Sequence, residues 1–132
     1  MRTSSRVAIA GSVSSPVVGE GVCQIQVSHS DRGALEGLIE QLLHRRLIAC
    51  GQVLGPISSC YRWEGRVERE QEWLGLLKTA ASRAGEVESL LAELHPYDVP
   101  EILVTHVAGG HEPYLSWVLE QTIGGLPDSA PG

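Results

Sequence analysis

The sequence predicts an α+β sandwich in which two helices cover one face of an antiparallel sheet. In several runs apolar residues alternate with polar ones, which is the period of a strand. Those runs are 23–27, 49–54, 57–63, 66–78 and 101–107. Between them, 31–47 and 82–94 repeat apolar residues every three or four positions, as amphipathic helices do. The predicted order is therefore βαββαβ, followed by a short last helix.

The first strand and first helix have clear local signals. Cys23, Ile25 and Val27 alternate with two glutamines, which predicts one apolar and one polar face. The helix follows Ser30 and Asp31, either of which can accept backbone N–H groups as an N-cap. Two consecutive arginines near its end place positive charge where the helix dipole favours it.

A long β-hairpin is the central feature of the chain. Its arms are 57–63 and 66–78, and Gly65 supplies the positive φ that a two-residue turn needs. The strand at 49–54 leads into the first arm. Pro56 lies between these two pieces and predicts a bulge or bend, because proline donates no ladder hydrogen bond.

The second arm is long for a domain of this size. Residues 66–78 would span about 40 Å at ~3.3 Å each, whereas a usual strand has roughly five or six residues. An unpaired arm carrying Trp73 is an aggregation hazard, which favours pairing with other copies of the chain. The charged tract 68–72 offers a competing explanation, since charges also protect an edge that has no partner.

Prolines mark the later elements. Pro96 disfavours helical geometry at His95 and so ends the second helix, and Pro113 lies in the first turn of the last helix, 113–121. Two βα crossovers joined by one hairpin give the split βαβ, or ferredoxin-like, sandwich.

Length and composition limit the function classes. We expect one folded domain at 21–124 with two flexible tails, because 1–20 lack a sustained hydrophobic period and 125–132 hold two prolines. Ten scattered basic residues against sixteen acidic ones give a net charge of −6, which disfavours nucleic-acid binding. No run approaches the ~20 apolar residues of a membrane span, so we expect no membrane partner.

Cysteine usage indicates a reducing compartment. The three cysteines are odd in number and lack CxxC spacing, which fits reduced thiols and a cytoplasmic location. The apolar run at 7–10 is shorter than the core of a signal peptide. Cys23 and Cys50 read as small core residues, and Cys60 lies beside the hairpin aromatics, where it can face an interface. None has an evident activating base, so we expect no enzyme.

The densest polar cluster is the segment 95–101, HPYDVPE. An imidazole with a carboxylate suits a divalent ion such as Cu²⁺ or Zn²⁺, which makes His95 and Glu101 candidate metal ligands. The alternative is that His95 closes the preceding helix and Glu101 faces solvent. None of the five histidines belongs to an HxH or HExxH signature, and the cysteines form no paired CxxC signature, so no strong metal motif is present.

Aromatic residues and the single lysine suggest where partners bind. We expect aromatic anchors at an interface between copies of the chain. They are Tyr61, Trp63, Trp73 and Trp117. Lys78 ends the long strand, where it either binds an anion or is simply solvated.

Several segments, in this order and spacing, resemble the CutA divalent-ion tolerance family over about residues 22 to 122. They are LIAC at 47–50, YRWEGR at 61–66, LKT at 77–79, HPYDVPE at 95–101 and YLSW at 114–117. The resemblance implies a ferredoxin-like protomer in a tight homotrimer, similar in architecture to PII signalling proteins. It also implies a link to tolerance of divalent metals, notably copper, by binding and with no cofactor required.

The resemblance has departures. Some copper-associated relatives carry a cysteine where this chain has Val27 and a histidine where it has Leu94, so only Glu101 matches that ligand set. Two hypotheses therefore remain. The first is a trimer that binds divalent metal, with copper as the implied ion. The alternative is a PII-like regulatory trimer that binds an anionic small molecule at subunit clefts near Tyr61, Lys78 and Tyr97.

Overall fold

The computed structural model describes residues 21–123. The predicted tails at 1–20 and 125–132 lie outside the described residues. The elements follow the predicted order βαββαβ with a last helix. They are β1 (Val22–His29), α1 (Arg32–His44), β2 (Cys50–Trp63), β3 (Arg66–Ala80), α2 (Ala81–Leu94), β4 (Ile102–His106) and α3 (Glu112–Thr122).

The four strands form one antiparallel sheet in the order β2-β3-β1-β4. This is the ferredoxin-like arrangement that the sequence predicts. Alternate residues of β1, namely Cys23, Ile25 and Val27, are fully buried in a core shared with α1 and α2. Both long helices therefore cover the same face of the sheet. Among the described helices, none is long and apolar enough to cross a bilayer.

The hairpin has the predicted turn and the predicted bulge. Glu64 and Gly65 adopt φ of 48° and 80°, as a two-residue turn with left-handed residues requires. The ladder between β2 and β3 shifts register between Leu54 and Ile57, next to a cis Gly55-Pro56 bond. Pairing of β1 with β3 ends at Trp73, so 66–72 pair with β2 alone in the protomer.

Local contacts position α1 against the sheet. Asp31 Oδ1 accepts the Ala34 N–H at 3.0 Å, which confirms one of the two predicted N-caps. Gly51 lets the helix come close to β2, because a Cβ there would lie 2.6 Å from Ile39 Cγ2. The sheet end occupied by α1 is therefore tightly packed.

Two sequence interpretations need correction. Glu72, in the tract read as protecting a strand edge, has no exposed surface, because Tyr97 packs over it. Cys50 was expected in the core but is only partly buried, since its register places it on the opposite face of the sheet, where its Sγ lies 3.3 Å from Tyr114 Oη. Trp73 packs against the core; its role in an interface stays a prediction.

The second face of the sheet, which we call the open face, carries the side chains that alternate with the core residues. Leu54 is 44% exposed and Leu103 is 55% exposed on this face. The contact of α3 with Cys50 lies at one end of it. The open face comprises Gln24, Gln26, Gln52, Leu54, Leu74, Leu76, Leu103 and Thr105.

Candidate functional site

The most concentrated polar contacts join β3 to the segment after α2. Tyr97 Oη donates to Glu72 Oε2 at 2.7 Å and lies 3.4 Å from Glu70 Oε1. Tyr61 Oη, on β2, donates to Glu70 Oε2 at 2.8 Å. We call these four residues the carboxylate–phenol cluster. It binds the hairpin to the proline-rich segment and brings two carboxylates to one phenol.

Burial sets the protonation of Tyr97. Burial raises the pKa of Tyr97 well above its ordinary value, and the nearby Glu72 carboxylate raises it further. The phenol therefore keeps its proton at neutral pH and acts as a donor to Glu72. A buried carboxylate with a charge-assisted hydrogen bond is expensive to disturb.

A pair of buried histidines lies next to the cluster. His95 Nε2 donates to the Ser28 carbonyl at 2.7 Å, and its Nδ1 accepts the Tyr97 N–H at 3.1 Å. The His29 ring lies 4.7 Å away between centroids, and its Nδ1 accepts the Asp31 N–H at 2.9 Å. Burial, and then the neighbouring His95, lower the pKa of His29. Burial and these contacts favour the neutral form of His29.

The predicted metal ligands have other partners in this arrangement. Both ring nitrogens of His95 are engaged by backbone groups, so a metal would have to displace one of those hydrogen bonds. Glu101 Oε2 accepts from Gln26 Nε2 at 2.8 Å. Val27 lies fully buried in the core, and Leu94 is 41% exposed. This residue set does not fit a copper site as it stands. Among residues 21–123, no group of three or more His, Cys, Asp or Glu side chains is placed to hold a metal ion.

The residues predicted for an anionic ligand separate within one protomer. Tyr61 and Tyr97 meet at Glu70, whereas Lys78 Nζ donates to Gln52 Oε1 at 2.6 Å. Lys78 lies eight residues further along β3 than Glu70, which corresponds to about 26 Å. The tyrosines thus face carboxylates, not the lysine. A cleft formed between subunits by all three stays a prediction.

The thiols occupy different environments. Cys23 Sγ lies 3.3 Å from His106 Nδ1, but burial raises the pKa of this thiol. Tyr114 lies 3.3 Å from Cys50 Sγ, and burial followed by this contact raises the pKa of Tyr114 to about 12. The Tyr114 ring also packs against the predicted anchor Trp117, with centroids 5.7 Å apart.

Sequence reasoning missed Glu70, Glu72 and Ser28. Period-two alternation already puts the two glutamates on one face of β3, so their proximity was available from the sequence. The sequence did not show that both glutamates converge on Tyr97, because these contacts join residues that are 25 and 27 positions apart in the chain.

Comparisons with known proteins agree with this fold. The family model described as CutA1 divalent ion tolerance protein matches residues 23–121. A divalent-cation tolerance protein CutA from Pyrococcus horikoshii is 37% identical over 98 residues, which is 74% of this chain and 95% of the relative. The corresponding protein from Thermus thermophilus is 38% identical over 85 residues, which is 64% of this chain and 82% of the relative.

Solved structures give the same result. The crystal structure of CutA from Xylella fastidiosa superposes with a TM-score of 0.75 at 33% identity, covering 77% of this chain and 98% of that one. The family match spans the whole hairpin, the carboxylate–phenol cluster and α3 up to Gln121. This chain belongs to the CutA1 divalent ion tolerance family.

Proposed function

We propose that this protein is a homotrimer that binds divalent cations and contributes to tolerance of them by binding rather than by catalysis. The observation that carries the assembly is the open face. The two long helices cover one face of the sheet, and α3 contacts the second face at one end. The rest of that face is left to be covered, and it presents the exposed Leu54 and Leu103.

The hairpin supports the same assembly. Its arms comprise 14 and 15 residues, and 66–72 pair on one side only within the protomer. Unpaired backbone groups and the exposed leucines of the open face favour association with identical copies, because closed symmetry satisfies every edge in the same way. The predicted anchors Trp63 and Trp117 retain exposed surface that such contacts would cover.

A charge on the open face tests the assembly. Leu103→Glu places a carboxylate in the proposed interface and should shift sedimentation toward the monomer. Leu94→Glu is the matched control, since Leu94 is exposed to 41% at the end of α2 and lies outside the open face. If both variants sediment like the wild type, the open face is not the interface.

The burial and raised pKa of the Cys23 thiol support binding rather than catalysis. Cys23, whose Sγ lies 3.3 Å from His106 Nδ1, is fully buried, and its raised pKa opposes formation of a nucleophilic thiolate. Titration calorimetry with CuCl₂ and MnCl₂ tests cation binding directly. Absence of heat from both ions at micromolar protein would overturn the proposal.

We further propose a cytoplasmic location. Cys23, Cys50 and Cys60 are all free thiols, as a reducing compartment favours. A related structure from Archaeoglobus fulgidus is described as a periplasmic divalent cation tolerance protein. Fractionation of cells producing the full chain distinguishes the two compartments, and recovery in the periplasm would contradict this location.

A further inference from the structure

The outer part of the hairpin, where 57–63 pair with 66–72, has two faces of opposite charge. Its acidic side chains form one row on β3, and alternation places that row on the side of the open face. They are Glu68, Glu70 and Glu72. The opposite side, which we call the basic face, has Arg62 and Arg69 as its charged residues.

A concavity of about 310 Å³ lies beside the hairpin bulge. Three of the described residues that line it belong to the basic face and carry side-chain hydrogen-bond donors. They are Ser58, Arg69 and Gln71. We propose that these three side chains bind a small oxyanion, namely a phosphate or carboxylate group, in this concavity. The inference goes beyond the proposed function and depends neither on cation binding nor on the assembly.

The strand register brings the three donors together. Ser58 and Gln71 are directly opposite each other in the ladder between β2 and β3. Arg69 is the next residue of β3 on the same face, so it is the diagonal neighbour of Ser58. Long side chains at diagonal positions of an antiparallel pair lie within reach of their neighbours. One small anion can therefore contact all three side chains.

These donors are available for a ligand. Ser58, Arg69 and Gln71 are all exposed. Arg69 Nη1 donates to Cys60 Sγ at 3.4 Å, and a thiol sulfur is a weak acceptor. Among residues 21–123, Arg69 forms no ion pair. Because a guanidinium has several N–H donors, most of them remain free to bind an anion.

The acidic residue at the concavity does not neutralise Arg69. Among the described residues that line the concavity, Glu70 alone is acidic. Its Oε2 accepts from Tyr61 Oη at 2.8 Å, and its Oε1 lies 3.4 Å from Tyr97 Oη. Successive side chains of a strand point to opposite faces, so this carboxylate is directed away from the basic face.

The chemistry of the donors selects an oxyanion. The planar guanidinium of Arg69 matches two oxygens of a phosphate or carboxylate, and such charge-assisted hydrogen bonds are stronger than neutral ones. The amide of Gln71 and the hydroxyl of Ser58 can donate to further oxygens of the same group. A concavity of about 310 Å³ is at the lower end of the ~300–1,000 Å³ range of small-molecule sites, which suits a small anion.

NMR titration of the full chain with sodium phosphate, and separately with sodium acetate, tests the inference at constant ionic strength. We expect saturable shifts of the Arg69 Nε–H and Gln71 side-chain amide signals. Arg69→Gln should weaken binding about fivefold or more, because it removes the charge and the guanidinium donors. Ser58→Ala should weaken it by a smaller factor. The matched control is Arg62→Gln, since Arg62 is exposed on the same face but does not line the concavity.

The outcomes separate this site from a general charge effect. Weaker binding in Arg69→Gln but not in Arg62→Gln supports the site, and the anion that binds shows whether phosphate or carboxylate is preferred. Equal weakening in both variants overturns it, because the net charge of the face would then be the cause. Unchanged binding in Arg69→Gln, or shifts that do not saturate, also overturns it. Absence of heat with CuCl₂ and MnCl₂ would overturn the proposed function alone.

Discussion

Tyr97→Phe should destabilise the protein more than Tyr61→Phe, which removes the other hydroxyl of the carboxylate–phenol cluster. The change removes a 2.7 Å hydrogen bond to Glu72, whose side chain has no exposed surface. Hydrogen bonds to charged groups contribute about 1.5–3 kcal/mol, and the Glu72 carboxylate would remain buried without this donor. We therefore expect a loss of about 2–3 kcal/mol in the free energy of unfolding.

Tyr61→Phe is the matched control. It removes a similar bond of 2.8 Å, but to Glu70, which is partly exposed and can be rehydrated. We expect a loss of about 1 kcal/mol or less. Urea unfolding followed by tryptophan fluorescence measures both losses. The protomer concentration is held fixed, because the proposed assembly would contribute to stability, and EDTA is present to remove any cations.

A double-mutant cycle sharpens the comparison. Glu72→Gln should cost less in the Tyr97→Phe background than in the wild type, because the interaction is already gone. A Tyr97→Phe protein within about 0.5 kcal/mol of the wild type, or one less affected than Tyr61→Phe, would refute this reasoning.

Two further predictions concern packing and pH. Gly51→Ala should destabilise the fold by about 1–3 kcal/mol, because the new Cβ would lie 2.6 Å from Ile39 Cγ2. Gly37→Ala should instead stabilise α1 by about 0.5–1 kcal/mol, because a Cβ there would have nothing within 4 Å. Thermal unfolding of both variants checks the opposite signs, and a stable Gly51→Ala protein would contradict the close packing. Burial lowers the pKa of His29 from 6.5, so the folded state binds fewer protons than the unfolded chain. The contribution of His29 to the free energy of unfolding is complete above pH 6.5 and is lost as the pH falls below it. Urea unfolding from pH 8 to 5 should show a slope that His29→Gln reduces, and an unchanged slope would exclude His29 as its source.

The fold was largely predictable because its signals are local. Alternation in β1 and β3, the Asp31 cap and the prolines at 56 and 96 each act within a few residues, and the structure confirms them. The bulge beside Pro56 was predictable because proline has no backbone N–H to donate to the ladder, which is a property of that residue alone. Two βα crossovers and one hairpin then leave few possible topologies for the four-stranded sheet.

The candidate site was less predictable because its contacts are distant in sequence. Alternation puts Glu70 and Glu72 on one face, yet it cannot distinguish the partly exposed residue from the fully buried one, since Tyr97 causes the difference. His95 looked available as a ligand, but the Ser28 carbonyl that engages its Nε2 comes from a position 67 residues earlier. Chemical type singled out the segment 95–101, whereas the partners of its side chains depend on tertiary contacts.

The central claim is that three copies of this chain cover one another's open faces. Light scattering after gel filtration of the full chain measures this most directly. The account predicts a particle of three times 14.2 kDa that persists on dilution to low micromolar protein. A single species of 14.2 kDa under the same conditions would contradict it.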